Sequence, residues 1–321
     1  MTADTTQARV LSAEQRLAAA AAAAPWRLTL VRFLRHRGAV TAGAVLIGIG
    51  LLCLAAPLIA AFSGLDPSAI DIADARAAPG PAHPFGTDTL GRDLFIRILY
   101  GGRVSLLVGI ATALFAAVIG TAIGLAAGYF GGRLDNLLMR FTDSVIALPL
   151  LPLLIILAAV DLEKAGLPPA LVQSEAISLY RIIVIIALFG WPVVARLVRG
   201  AALSLRARDY VRAAAALGAH PARIVWRHIL PNVLSPIIVA TTLSIGNIIL
   251  AESVLSFLGL GIQPPTPTWG NMLTDAQGEM YAAPHLAIFP GLAIFITVIC
   301  FNFLGDGLQD ALDPRAQQRR P

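Results

Sequence analysis

The chain has 321 residues, of which 57% are hydrophobic and only 13% charged, and its formal net charge is +5. Soluble domains carry roughly 25% charged residues, so this composition excludes them and leaves a polytopic membrane protein. The positive balance needs no nucleic acid to explain it, because arginines gathered on one side of a membrane give the same sign.

A span needs about 20 apolar residues, and six all-α spans are expected, at residues 39–62, 103–128, 137–160, 180–200, 233–256 and 286–305. An even number returns the chain to its starting side. With the N-terminus inside, the arginine-rich stretches around Arg32, Arg133, Arg208 and Arg319 all face the cytoplasm, leaving Arg76, Arg92, Arg97, Arg103, Lys164 and Arg181 at the outer side. The positive-inside rule therefore favours N-in, C-in. Residues 1–38 read as a cytoplasmic tail and 39–101 as the first span with an extracytoplasmic segment. A five-helix core at 102–307 contains a cytoplasmic loop at 205–231, and 308–321 form the C-terminal tail.

Residues 1–24 are polar and then alanine-rich, a partly helical tail without a secretory apolar core. Arg32, Arg35 and Arg37 precede a span longer than a signal peptide's core, which predicts an uncleaved anchor. Cys53 and Cys300 fall inside predicted spans with no metal-ligand spacing around them, so buried thiols are expected and no disulfide framework. From Gly64 to about Gly101 the chain is acidic and rich in proline and glycine, as suits a segment outside the membrane. Asp88 is a candidate helix cap, and the glycines after it permit tight turns as the chain re-enters lipid. Gly86, Thr87, Asp88, Gly91, Arg92, Asp93, Tyr100, Gly101, Arg103 and Ser105 resemble the peptide and nickel importer permeases of the ATP-binding cassette (ABC) class. A fixed loop scaffold is expected here ahead of direct peptide contact.

In the second span Gly120, Gly124 and Gly128 recur every four residues and leave one helical face bare, which predicts close helix packing rather than a substrate groove. The third span holds Asp143, Pro149 and Pro152; the prolines predict a kink or a broken helix. A moving gate and static shape-fitting both suit that kink, and Asp143 is expected near a helix N-terminus, where the dipole favours it. A short outer loop with Asp161, Glu163 and Lys164 follows.

Residues 205–231, LRARDYVRAAAALGAHPARIVWRHILP, interrupt two apolar runs with a basic, water-loving stretch. Ala213 to Leu217 favour helix, Gly218 can end it in the left-handed conformation, and Pro221 suits the first turn of another helix that stops at Pro231. Ile224, Val225, Ile229 and Leu230 are expected to tuck into the bundle. Ala213, Ala214, Gly218, Ile229, Leu230 and Pro231 resemble the EAA loop of bacterial ABC importer permeases, which implies a coupling helix docking on a cytoplasmic ATPase. Asp209, Tyr210, Arg212 and Ala219 belong to the same candidate coupling surface. Arg212 stands where that motif has glutamate, so an ion pair made there would be absent or inverted.

The fifth span carries Glu252, expected near the outer surface; an arginine or a substrate amine could pair with it, but a structural partner is expected ahead of these. Leu255, Ser256, Phe257, Leu258, Gly259, Gly261, Pro264, Pro265, Trp269 and Gly270 again resemble the peptide-permease subfamily, as do Asn302, Gly305, Asp306, Gly307, Asp310, Leu312, Asp313, Pro314 and Arg315 at the end. Asp306 and Asp310 lie one turn apart and read as an interfacial stop rather than metal ligands. Asp143, Pro149 and Glu252 are the candidates for gate or pathway.

Nucleotide chemistry is missing. A P-loop needs a lysine after a glycine-rich turn, and Lys164 follows VDLE. No catalytic or metal-binding motif stands out, and the chain itself is expected to bind no cofactor. The resemblance implies an all-α type I ABC importer permease of the inner membrane, for di- or oligopeptides, with nickel or glutathione as alternatives and an ion-driven secondary transporter as a rival. It also implies partners: a homologous second permease in a heterodimer, two cytoplasmic ATPases holding ATP and magnesium, an extracytoplasmic substrate-binding protein and surrounding lipid.

Overall fold

The computed structural model describes residues 25–164, 166, 168, 169 and 175–312. The tail at 1–24 and the motif residues Asp313, Pro314 and Arg315 lie outside the described residues. Regular structure among the described residues is helical, apart from an isolated bridge between Thr87 and Asp93. In chain order the helices are α1 (Pro25–Arg35), α2 (Arg37–Leu54), α3 (Ala56–Ser63), α4 (Leu94–Phe130), α5 (Gly132–Ala147), α6 (Leu150–Ala158) and α7 (Glu175–Arg206). They continue with α8 (Asp209–Ala216), α9 (Pro221–Ile224), a π-helical turn (Val225–Ile229), α10 (Leu230–Phe257), α11 (Trp269–Ala276) and α12 (His285–Leu312). Five segments are long and apolar enough to cross a membrane: α2, α4, α7, the continuous run Pro221–Phe257 and α12. A sixth crossing exists if the pair α5 and α6 is one span, bent by 82°.

That bend is where the sequence placed it. Leu148 and Pro149 are extended, Pro149 caps α6, and Pro152 sits in the first turn of α6, where its missing N–H costs nothing. Elsewhere the boundaries moved. Helix α4 begins at Leu94, so the expected division between 101 and 102 falls inside one 37-residue helix. Its cap is Asp93, which accepts the Ile96 N–H at 2.9 Å, and not Asp88. Gly101 and Gly102 are helical and give room to Thr268 and Trp269 at the start of α11, rather than turning the chain back into lipid.

Helices α4 and α7 form the most intimate pair, and the glycine stripe explains why. A Cβ at Gly124 would lie 2.5 Å from the Ala195 carbonyl oxygen and 2.8 Å from Val198 Cβ, and Gly120 and Gly128 meet Val194 and Ala202 in the same way. Close packing replaces the hydrophobic drive that lipid does not supply. Gly124→Ala should therefore cost about 1–3 kcal/mol by overpacking, seen as a lowered unfolding temperature of the solubilised chain. Gly200→Ala, where a Cβ meets nothing within 4 Å, is the control and should not lower it.

The central core joins α4, α6, α7 and α10 through Val108, Leu154, Ile182, Ile186, Ile249 and Leu255. Faces that carry Phe115, Val118 and Val184 stay exposed on the protomer, as lipid-facing apolar surfaces do. Cys53 and Cys300 are both buried and free.

Candidate functional site

The loop between α7 and α10 folds as a bent lever. Asp209 lies in the first turn of α8, where a carboxylate complements the helix dipole. Past the end of α8 Gly218 takes φ +81°, its N–H bonded to the Ala215 carbonyl, while the Ala219 N–H reaches back to Ala214. Pro221 opens α9, and the His220 ring accepts the Ala222 N–H at 3.3 Å. The helix does not stop at Pro231, as the sequence suggested. Proline cannot donate a hydrogen bond and crowds the preceding turn. The chain widens into the π turn just before it, where the Leu230 N–H reaches the Val225 carbonyl, and then runs straight on into α10.

One face of this lever is sunk into the bundle. Val211, Ile224 and Ile229 are buried against Leu125 of α4, Val198 and Ala202 of α7 and Val233 of α10, with Val225 and Leu230 packed at the edge. The opposite face is open: Asp209, Tyr210, Arg212, Ala213 and Pro231 are exposed, while Ala214 and Ala219 are half-buried. Leu217 is 88% exposed and Trp226 is 69% exposed, so bulky apolar side chains stand out among arginines. Neither was singled out from sequence; the signal available was two large apolar residues in a stretch otherwise charged.

Two acid–arginine rungs tie α5 to α7 next to the lever. Asp135 accepts from Arg199 Nε at 2.5 Å and Nη2 at 2.7 Å, and Asp143 accepts from Arg196 Nη2 at 2.6 Å. Asp143 lies near the C-terminal end of α5, so the expected stabilisation by a helix N-terminus does not apply, and Arg196 supplies its counter-charge instead. The rungs link the helix that carries the lever to the helix that precedes the break at Pro149.

Residues 120–318 match the family described as the binding-protein-dependent transport system inner membrane component, and residues 24–79 match the N-terminal transmembrane domain of oligopeptide transport permease C. The chain belongs to this transport family. Among curated relatives, the glutathione transport system permease protein GsiD of Pectobacterium atrosepticum is 42% identical over 91% of each chain. A protein of the same name from Escherichia coli is 41% identical over the same shares. A solved amino acid ABC transporter aligns with a TM-score of 0.43 at 16% identity, covering 62% of this chain and 87% of the other. The protein is thus a multi-pass inner-membrane permease subunit of an ABC importer, a system that works with a partner permease, ATPases and a binding protein.

In this permease Glu252 is 0% exposed, enclosed in α10 where α4 and α11 press closest. Its Oε1 accepts the Ser256 hydroxyl at 2.7 Å, and no arginine forms an ion pair with it among the described residues. Its partner here is structural, a hydroxyl of the same helix rather than an arginine. Pro149 marks the α5–α6 break, and Asp143 faces outward from α5 on the protomer. No group of three metal-ligating side chains is assembled among the described residues; Asp310 instead lies 3.7 Å from His36.

The end of the outer segment, residues 86–93, forms a largely buried clasp that sequence reasoning saw only in part. Asp88 accepts the Leu90 and Arg92 N–H groups at 2.8 and 3.0 Å and Arg92 Nε at 2.6 Å, and Arg97 Nε lies 3.4 Å away. Arg92 extends to Asp275 of α11 at 3.5 Å. Burial pushes the Asp275 carboxyl up from its ordinary value, against the pull of Arg97 and Arg92. Thr87, Asp88 and Asp93 are all buried, which fits a scaffold. Arg97 and Asp275 were missed because each is meaningful only beside Asp88.

Proposed function

We propose that this permease forms half of a heterodimeric conduit for small peptides, with glutathione the reading favoured by its relatives. The observation that carries the mechanism is the lever at 209–231, one face sunk among α4, α7 and α10 and the other leaving Tyr210, Leu217 and Trp226 exposed on its surface. An exposed apolar surface rimmed by charge suits a protein partner. Two ATPase subunits holding ATP and magnesium would close on that surface, and the lever would carry the movement into α7 and α10. The chain itself contributes no hydrolytic step and no bound cofactor. The arginine distribution supports N-in, C-in, with α5 and α6 counted as one broken span. Selectivity is assigned to the binding protein.

The direct test is to reconstitute this chain with its second permease, ATPases and binding protein in proteoliposomes and follow labelled glutathione. ATP-dependent uptake that needs all partners is expected. Uptake driven by a proton gradient through the purified chain alone would replace this reading with secondary transport.

A further inference from the structure

A cavity of about 440 Å³ opens where the end of α6, the first turns of α7 and the loop after α10 meet. Its wall contains Asp161, Ser178, Arg181, Gly259, Leu260 and Gln263. The charges on that wall are unequal in their commitments. The Asp161 carboxylate accepts the Glu163 and Lys164 N–H groups and lies 3.4 Å from the Lys164 ammonium. The Gln263 amide nitrogen is spent on the Gly259 and Gly261 carbonyls. Arg181 is half-buried, its Nε is shut away from solvent without a hydrogen-bond partner, and no carboxylate lies within 4.0 Å of it among the described residues.

An arginine near the end of a membrane span can reach water by snorkelling, but one that lines a cavity with no counter-charge is a candidate for function. Guanidinium matches the fork of a carboxylate better than any other side chain. We propose that this cavity is a subsite for the free carboxylate of the peptide in transit, gripped by Arg181 at the outer end of the conduit. The volume is within the range of small-molecule sites, and the cavity meets Ala158 at the end of α6, the short helix beyond the Pro149 break. Movement of α6 would then load or release the carboxylate. This inference rests on the peptide reading above for its ligand, though the site's charge can be tested without it.

The experiment uses the reconstituted complex with Gln263→Cys as a reporter at the cavity mouth, since Cys53 and Cys300 are buried. A sulfonate-bearing thiosulfonate should label it several-fold faster than an ammonium-bearing one, and Arg181→Gln should bring the two rates to parity. Alanyl-alanine should protect the reporter, and its C-terminal amide should not. In uptake of alanyl-alanine by the complex with native Gln263, Arg181→Gln should raise KM about tenfold, the loss of one charge-assisted hydrogen-bonded contact, and Arg181→Lys should recover part of it. Equal labelling rates in the native-arginine complex would overturn the anion site outright. Charge-selective labelling without protection by the dipeptide, or loss of the second permease on copurification of Arg181→Gln, would overturn the carboxylate assignment in favour of another anion or an interface pair. Failure of the complex to take up any peptide, with the labelling preference intact, would count against the peptide reading and the ligand but leave the charge of the site standing.

Discussion

Gly218→Pro should reduce binding-protein-stimulated ATP hydrolysis and uptake to background while the chain still inserts into the membrane. Proline is fixed near φ −65°, and this position sits at φ +81°. The substitution also deletes the N–H that bonds the Ala215 carbonyl. The corner between α8 and α9 cannot keep its angle, and Leu217 and Trp226 leave the positions that a partner surface would meet. The mechanism predicts an order as well as an extreme. A Cβ at Gly218 meets nothing within 4 Å, so Gly218→Ala bears only the conformational penalty of about 1 kcal/mol or somewhat more. Gly218→Asn, whose side chain tolerates the left-handed region, should retain most coupling. Stimulated hydrolysis measured across the three variants checks this, and full activity of the proline variant would remove the lever from the mechanism. None of these changes touches the buried face, since Val211, Ile224 and Ile229 point the other way.

Much of that lever could be read from residues whose conformational needs are local. Glycine after an alanine run and proline three residues later specify a corner whatever surrounds them, and the apolar positions at 224 and 229 could face only the bundle. Pro231 misled for a physical reason: the same missing donor ends a helix in isolation, but is absorbed by a π turn when the flanking segments are held by burial. The glycine stripe of α4 and the break at Pro149 were legible on the same local grounds. Asp143 was misplaced because α5 starts at Gly132, among polar residues that hydropathy does not count as span. Helix α4 began early for a similar reason. Arg92, Asp93 and Arg97 look like surface until Asp88 and Asp275, nearly 200 residues apart, enclose them, and an apolar period cannot report a pairing of that range. Arg181 was equally opaque, because its significance is the lack of a counter-charge, which no single sequence displays.

That enclosed cluster yields the second large effect. Asp88→Ala should destabilise the outer segment by about 3–5 kcal/mol, the usual consequence of removing one partner from a buried ion pair. Asp88 is 2% exposed and Arg97 5% exposed, so water cannot substitute for the carboxylate. Without it Arg97 retains the Pro67 carbonyl at 3.3 Å, while Arg92 retains only the longer contact to Asp275. Asp88→Asn keeps an acceptor for the Leu90 and Arg92 N–H groups and loses the charge alone, so it should fall between wild type and alanine. Glu279→Gln supplies the contrast: its pair with Arg76 spans only 2.6 Å but that arginine is half-exposed, and such pairs contribute about 0–1 kcal/mol. Thermal unfolding of the solubilised permease, together with proteolysis of residues 64–93, separates these cases. If Asp88→Ala unfolds no earlier than Glu279→Gln, the clasp must be held by apolar and backbone contacts instead, by Phe85 stacked on Phe289 at 4.1 Å and by His285 at the Thr87 carbonyl. The charge cluster would then be a tolerated burden on the outer segment rather than its fastening, and the link from α4 to α11 would rest on the packing of Leu94 and Ile98 with Met272 and on Trp269, whose indole N–H bonds the Ile98 carbonyl at 3.0 Å.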